Sequence, residues 1–132
     1  MIGVDTNVLL RYVIKDDLAQ FERADAFFKQ CSSDRPAYVS MVVLAEFIWV
    51  LQRYYRYSTV QVLNTVNAML DAAELNFEME EHLAPFFARL KPTKGDIADC
   101  LIAFCAVRAG CSHTVTFDRR AAGAIPEMEL LA

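Results

Sequence analysis

The chain has 132 residues, 55% of them hydrophobic, which is one domain's length and enough apolar mass to fill a core without metal or disulfide staples. Its formal net charge of −4 runs against a polyanion-binding surface, because such surfaces ordinarily carry a basic surplus. No uncharged apolar run reaches the roughly eighteen residues of a membrane span, and Met1 leads straight to Asp5 without a basic segment, so the reading excludes a span and a signal peptide and expects a cytoplasmic protein.

Met1 to Val4 is a short apolar run stopped by Asp5-Thr6-Asn7, which reads as a buried strand handing over to a helix. Val8 to Lys15 and Leu18 to Cys31 carry helical spacing, and Ser32-Ser33-Asp34-Arg35-Pro36 is turn chemistry. Ala37 to Val39 predicts a second strand, with Ser40 capping the helix that follows. Ser58 caps another helix running to about Ala73, and Leu75 to Met79 reads as a short strand. Glu80 to Leu90 is helical despite Pro85, and Lys91 to Gly95 is a loop. Asp96 to Ala109 reads as a buried helix closed by Gly110. His113 to Phe117 is a strand ending at Asp118, followed by a helical turn and a last strand near Met128 to Leu131. Strands alternating with helices predict a parallel sheet covered on both faces. The four cysteines, Cys31, Cys100, Cys105 and Cys111, form no Cys-x-x-Cys pair and read as reduced core thiols.

Within MVVLAEFIWVL, Met41 to Leu51, the single charged side chain is Glu46. One and two helical turns away lie Val39, Val42, Val43, Trp49 and Val50, with Arg53 the only polar neighbour. Burying an unpaired carboxylate costs several kcal/mol, so Glu46 calls for a compensating partner. Arg53, two turns away, reaches it poorly.

Other acids stand at informative places. Asp5 ends the first strand, Asp96 and Asp99 open the long helix, and Asp118 ends the strand before the last. Open α/β sheets bind ligands beyond the carboxyl ends of their strands. Each Asp has a bland reading as a helix cap, but Glu46 lies too deep in its helix to cap anything. The joint reading gathers the acids around a hard divalent cation, Mg²⁺ or Mn²⁺, which prefers carboxylate oxygen and water. Two such ions about 3.5–4 Å apart activate a water and stabilise the departing oxygen of a phosphodiester.

Four segments then resemble the PIN domain, in particular the VapC-type toxins of bacterial toxin-antitoxin pairs. They are V-D-T-N-V at Val4 to Val8, L-A-E at Leu44 to Glu46, D-I-A-D-C-L-I-A at Asp96 to Ala103, and V-T-F-D-R at Val115 to Arg119. The resemblance implies a single three-layer α/β/α domain over residues 1–132 with a central parallel sheet. It also implies a Mg²⁺- or Mn²⁺-dependent endoribonuclease with one or two ions per site and no organic cofactor. It further implies a homodimer, inhibited by a small antitoxin. Carried over by position, the catalytic and metal-binding acids are Asp5, Glu46, Asp99 and Asp118, with Thr6, Asn7 and Thr116 in support. Asp96 shares a helical face with Asp99, and both of its readings, ligand or cap, stay open.

Substrate contacts have a weaker signal. Tyr54, Tyr55, Arg56 and Tyr57 set stacking rings beside a cation, and Lys91, Lys94, Arg119 and Arg120 are placed to meet phosphates; Arg56, Lys94 and Arg119 are the candidates retained. His82 and His113 read as surface and strand-end residues. The apolar content predicts a dimer through the helices around Phe21 to Phe28 or Val60 to Met69. Two rival readings remain. A haloacid-dehalogenase-like phosphatase would use Asp5 as nucleophile, but such proteins carry a second Asp two residues on, where this chain has Asn7. An inactive RNA- or partner-binding PIN module would have lost an acid, and all four are present.

Overall fold

Strands of two or three residues set the architecture, and three of those described run into a helix whose first turn is capped by a side chain, at Asp5, Ser40 and Asp118. The computed structural model describes residues 1–92 and 96–131, so Lys94 lies outside the described residues. The chain divides into two compact units, Met1–Leu90 and Lys91–Ala132.

In the first unit the order is β1 (Ile2–Gly3), α1 (Thr6–Ile14), α2 (Leu18–Lys29), β2 (Ala37–Val39), α3 (Met41–Arg53), α4 (Thr59–Asp71), β3 (Leu75–Phe77) and α5 (Glu80–Arg89). The strands form one parallel sheet in the order β1-β2-β3, with Ile2 opposite Ala37 and Ala37 opposite Leu75. Parallel neighbours require a crossover, and two helices provide each one: α1 and α2 between β1 and β2, then α3 and α4 between β2 and β3. All three strands therefore end on one edge, where Asp5, Ser40 and Glu78 stand.

The second unit holds α6 (Ile97–Arg108), β4 (Thr114–Thr116), α7 (Arg119–Ala124) and β5 (Met128–Leu130). β4 and β5 are parallel, with Val115 opposite Glu129. Ala103, Ala121, Ile125 and Met128 form the buried cluster, with Cys100 and Ala124 packed against it. The mixed α/β class with parallel strands is as the sequence implied, and element boundaries fall within a few residues of those expected.

Four expectations are corrected. β1 is not buried: it is the edge strand of its sheet, and Ile2 is 61% exposed. Glu46 is exposed as well. Helix α3 is apolar nearly all round, and the stripe it buries is Leu44, Phe47, Ile48 and Leu51. Glu46 lies off that stripe, on the side where Val42 is 79% and Trp49 54% exposed. Helix α6 buries Ile97, Leu101 and Ala103 but exposes Ile102 and Val107, so it is a surface helix rather than an enclosed one. On α2 and α4, Phe28, Val62, Val66 and Met69 are buried, while Phe21 and Phe27 are half-buried and Val60 is 50% exposed. All four cysteines are free thiols, but Cys111 is exposed and is no core residue. Among the described residues no helix is long and apolar enough to cross a membrane.

The start of α3 is held twice. The Ser40 hydroxyl accepts from the Val43 N–H at 3.2 Å, and Glu78 Oε1, arriving from the end of β3, accepts from the Met41 N–H at 2.9 Å. Glu78 also hydrogen-bonds Tyr38, whose phenol is pushed above its ordinary value by burial and by the Glu78 charge. Losing a cap costs about 1 kcal/mol. Ser40→Ala and Glu78→Ala are each expected to lower stability by about that amount in urea unfolding, and the double variant by less than the sum, because both groups serve the same helix end.

Candidate active site

Asp5 follows β1 and caps α1, its Oδ1 accepting from the Thr6 N–H at 2.8 Å. The strand ends there because the carboxylate offers the first helical turn a partner that a ladder cannot. Thr6 is 4% exposed, and its Oγ1 is buried without a hydrogen-bond partner. Asn7 is exposed at the start of α1. Glu46, two turns along α3, makes no ion pair or hydrogen bond among the described residues, with Arg53 or otherwise. The expected compensation for a buried charge is therefore unnecessary, because solvent already supplies it.

In the second unit Asp99 lies within electrostatic reach of both Asp96 and Asp118. Asp96 caps α6, with Oδ1 accepting from the Ala98 N–H at 2.9 Å. Asp118 caps α7, with Oδ1 accepting from Arg120 N–H at 2.9 Å and Ala121 N–H at 3.1 Å. The Thr116 hydroxyl accepts from the Asp118 N–H at 3.0 Å, fixing the backbone that presents this acid. Asp99, one turn into α6, has its carboxyl pushed above the ordinary range, first by burial and then by the charges of Asp96 and Asp118. The helix N-terminus favours a carboxylate there, so the upward shift means that crowding and burial outweigh the dipole. The neighbouring Cys100 thiol is also pushed up, by burial first and then by Asp99, Asp96 and Glu127, which keeps it protonated.

The capping role anticipated for the aspartates is thus realised at Asp5, Asp96 and Asp118. It does not exhaust them, because each cap uses Oδ1 and leaves Oδ2 without a protein partner among the described residues. No three His, Cys, Asp or Glu side chains among the described residues stand close enough to hold a metal ion by themselves.

Of the substrate candidates, Arg56 is exposed with a left-handed backbone (φ 59°), and Arg119 is exposed at the first position of α7. Tyr54 is exposed, whereas the Tyr55 hydroxyl donates to Asp16 Oδ2 at 2.8 Å and is committed to structure. Sequence reasoning missed a cavity of about 550 Å³ beside Asp5, lined also by Asn7, Arg11, Gln20, Arg23 and Phe27. Arg11 and Arg23 sit on helices among other charged residues, a pattern that reads as a solvated face, so no local signal singled them out.

Parallel strands that end in acid-capped helices, with a crowded carboxylate one turn into the next long helix, define a carboxylate-bearing α/β domain. The family model of the PIN domain matches residues 2–124, and the chain belongs to that family. The chain is also 24% identical over 118 residues to the VapC ribonuclease of Aquifex aeolicus (strain VF5), a span that covers 89% of this chain and 87% of that protein.

The Asp99 shift carries a definite pH dependence. Its carboxyl binds a proton more tightly folded than unfolded, so stability falls as pH rises from the ordinary value of 3.8 through the raised one, and the full penalty is present at neutral pH. Asp99→Asn removes the charge. In EDTA the variant is expected to melt higher than wild type at neutral pH, with the difference shrinking below the ordinary carboxylate value. An unchanged gap across that range would contradict the crowding.

Proposed function

We propose that the protein is a divalent-metal-dependent endoribonuclease, a single PIN nuclease domain acting as the toxin of a toxin-antitoxin pair, homodimeric and cytoplasmic, and restrained by a small antitoxin. The observation that carries this reading is the crowding of Asp96, Asp99 and Asp118 in a chain of the PIN family that is similar to a VapC ribonuclease. Mutually repelling carboxylates near a helix N-terminus are stabilised by a cation more than by any neutral ligand.

The donor chemistry fits a hard ion. Carboxylate oxygens dominate, the nearby thiol is held protonated, and the buried Thr6 hydroxyl beside Asp5 lacks a protein partner. Asp5, Glu46, Asp99 and Asp118 would hold Mg²⁺ or Mn²⁺, with Asp96 a further ligand or a cap alone. Such an ion, when bound, neutralises charge on the phosphodiester and makes a neighbouring water acidic enough to attack phosphorus. The protein's own part is positional. Backbone N–H groups fix one oxygen of Asp5 and of Asp118, Thr116 fixes the chain before Asp118, and Arg56 and Arg119 offer charge to the RNA backbone. Asn7 holds the backbone after β1.

The test incubates purified protein with mixed RNAs in Mg²⁺, Mn²⁺ or EDTA beside Asp5→Asn. Metal-dependent cleavage lost in the variant is expected; release of phosphate from monoesters instead would favour the phosphatase reading. Glu46→Gln is expected to abolish cleavage while changing stability by less than about 0.5 kcal/mol, because the side chain is exposed and unpaired. Asp96→Asn should retain the cap and much of the activity, whereas Asp99→Asn should lose it. Light scattering at micromolar concentration checks the dimer, and a monomer mass would reject it.

A further inference from the structure

Helix α3 carries Glu46, yet its sequence says little about which way that side chain points. Apolar residues occupy almost every face of the helix, so burial alone favours one rotation about the axis only weakly. A slip of one residue at the start of a helix turns every later side chain by about 100°. The direction of Glu46 therefore depends on directional bonds at the beginning of α3.

Glu78 supplies such bonds on both sides of the junction between β2 and α3. Its backbone N–H donates to the Val39 carbonyl at 3.0 Å, and its Oε1 accepts from the Met41 N–H at 2.9 Å. Ser40, the single residue between strand and helix, is thus bracketed by one residue at the end of β3. The Ser40 cap on the Val43 N–H differs in kind, because Ser40 moves with the helix it caps, whereas Glu78 ties that helix to a neighbouring strand. A carboxylate accepts more strongly than a neutral oxygen, and a helix N-terminus favours its charge.

Glu78 is itself held in place. It follows Phe77, whose N–H donates to Glu80 Oε1 at 3.2 Å, and precedes Met79, whose backbone is left-handed at φ 54°. That conformation is costly for a residue with a Cβ and persists where the surroundings over-determine it. The Met79 carbonyl accepts from the His82 and Leu83 N–H groups at 3.0 and 2.8 Å, which locks the strained residue to the first turn of α5. Met41 stands five residues before Glu46, about 7.5 Å along the helix axis, so a constraint at one is carried to the other by the helix itself. All of these residues belong to the first unit, Met1–Leu90.

We propose that Glu78 is a positioning residue: by bracketing the β2–α3 junction it sets the rotation and seating of α3 on its sheet, and with them the direction in which Glu46 presents its carboxylate to the metal ion. The inference rests on the metal-dependent ribonuclease reading, in which Glu46 is a ligand. Glu78 acts through Met41 and not by contact with metal or RNA.

The experiment measures Mn²⁺ affinity without RNA by calorimetric titration, together with thermal melts. The proteins are wild type, Ser40→Ala, Glu78→Ala, Glu78→Gln, Glu78→Asp, Glu46→Gln and the double variant of Glu46→Gln with Glu78→Ala. Glu78→Gln keeps an acceptor for Met41 and loses the charge, whereas Glu78→Asp keeps the charge and is one methylene too short. Ser40→Ala and Glu78→Ala are expected to melt lower by similar amounts, but only Glu78→Ala weakens Mn²⁺ binding, roughly tenfold. Glu78→Asp should weaken it as Glu78→Ala does, and Glu78→Gln should stay close to wild type. In the Glu46→Gln background, Glu78→Ala should weaken Mn²⁺ no further. Unchanged affinity in Glu78→Ala and Glu78→Asp, equal weakening in Ser40→Ala, weakening that follows the charge in Glu78→Gln, or a loss that persists beside Glu46→Gln would each refute the positioning role while the metal-site reading stands. Wild type that binds no Mn²⁺ overturns that reading and the inference with it. If Glu78→Ala does not fold, Glu78→Asp against Glu78→Gln makes the same comparison.

Discussion

Where β1 and β4 give way to helices, an acid stands at the junction and its carboxylate satisfies open N–H groups of the helix it starts. Asp5 does this for α1 and Asp118 for α7, while Asp96 does it at the entry to α6. In each case one oxygen is held by backbone donors and cannot swing away, so the other is presented in a fixed direction. A helix N-terminus also tolerates negative charge better than most places in a protein. At Asp5 and Asp118 the same few atoms thus end the strand, start the helix and fix a carboxylate.

Much of this was legible in the sequence because it is local. Ser40, Ser58, Asp96 and Gly110 mark helix ends by chemistry that needs no tertiary information, and the short apolar runs at Ala37 to Val39 and Leu75 to Phe77 have no room to be anything longer than strands. The capping positions of Asp5 and Asp118 were legible for the same reason, as side chains at strand-to-helix junctions. Glu46 was not. Apolar residues occupy almost every face of α3, so periodicity cannot say which stripe meets the core, and the choice of Leu44, Phe47, Ile48 and Leu51 is made by packing. The consequence is an exposed carboxylate flanked by exposed Val42 and Trp49, where the sequence implied a buried one. Arg23 and the cavity beside Asp5 were invisible for a different reason: a cavity is made by the approach of β1, α1 and α2, and no linear pattern encodes it.

Electrostatics explains how a chain with a net charge of −4 can serve a polyanion. Burial first, and then the charges of Asp96 and Asp118, hold the Asp99 carboxyl above its ordinary range, and on the proposed reading a divalent cation there would reverse the local field. Meanwhile several cations are neutralised within the fold, Arg11 by Asp16 and Lys29 by Asp25, which leaves others such as Arg23, Arg56 and Arg119 unpaired at the surface among the described residues. Net charge therefore misleads, and the distribution of paired and unpaired groups carries the information.

Titration of the protein with Mn²⁺, followed by the loss of the free-ion electron paramagnetic resonance signal at neutral pH, decides whether the proposed acids, Asp99 and Asp118 among them, hold a cation. Wild type is expected to take up Mn²⁺ at micromolar protein concentration, and Asp118→Asn, which keeps the α7 cap but removes a charge beside Asp99, is expected to bind it markedly more weakly. Wild type that leaves the free signal untouched, or Asp118→Asn that binds as well as wild type, would contradict the account.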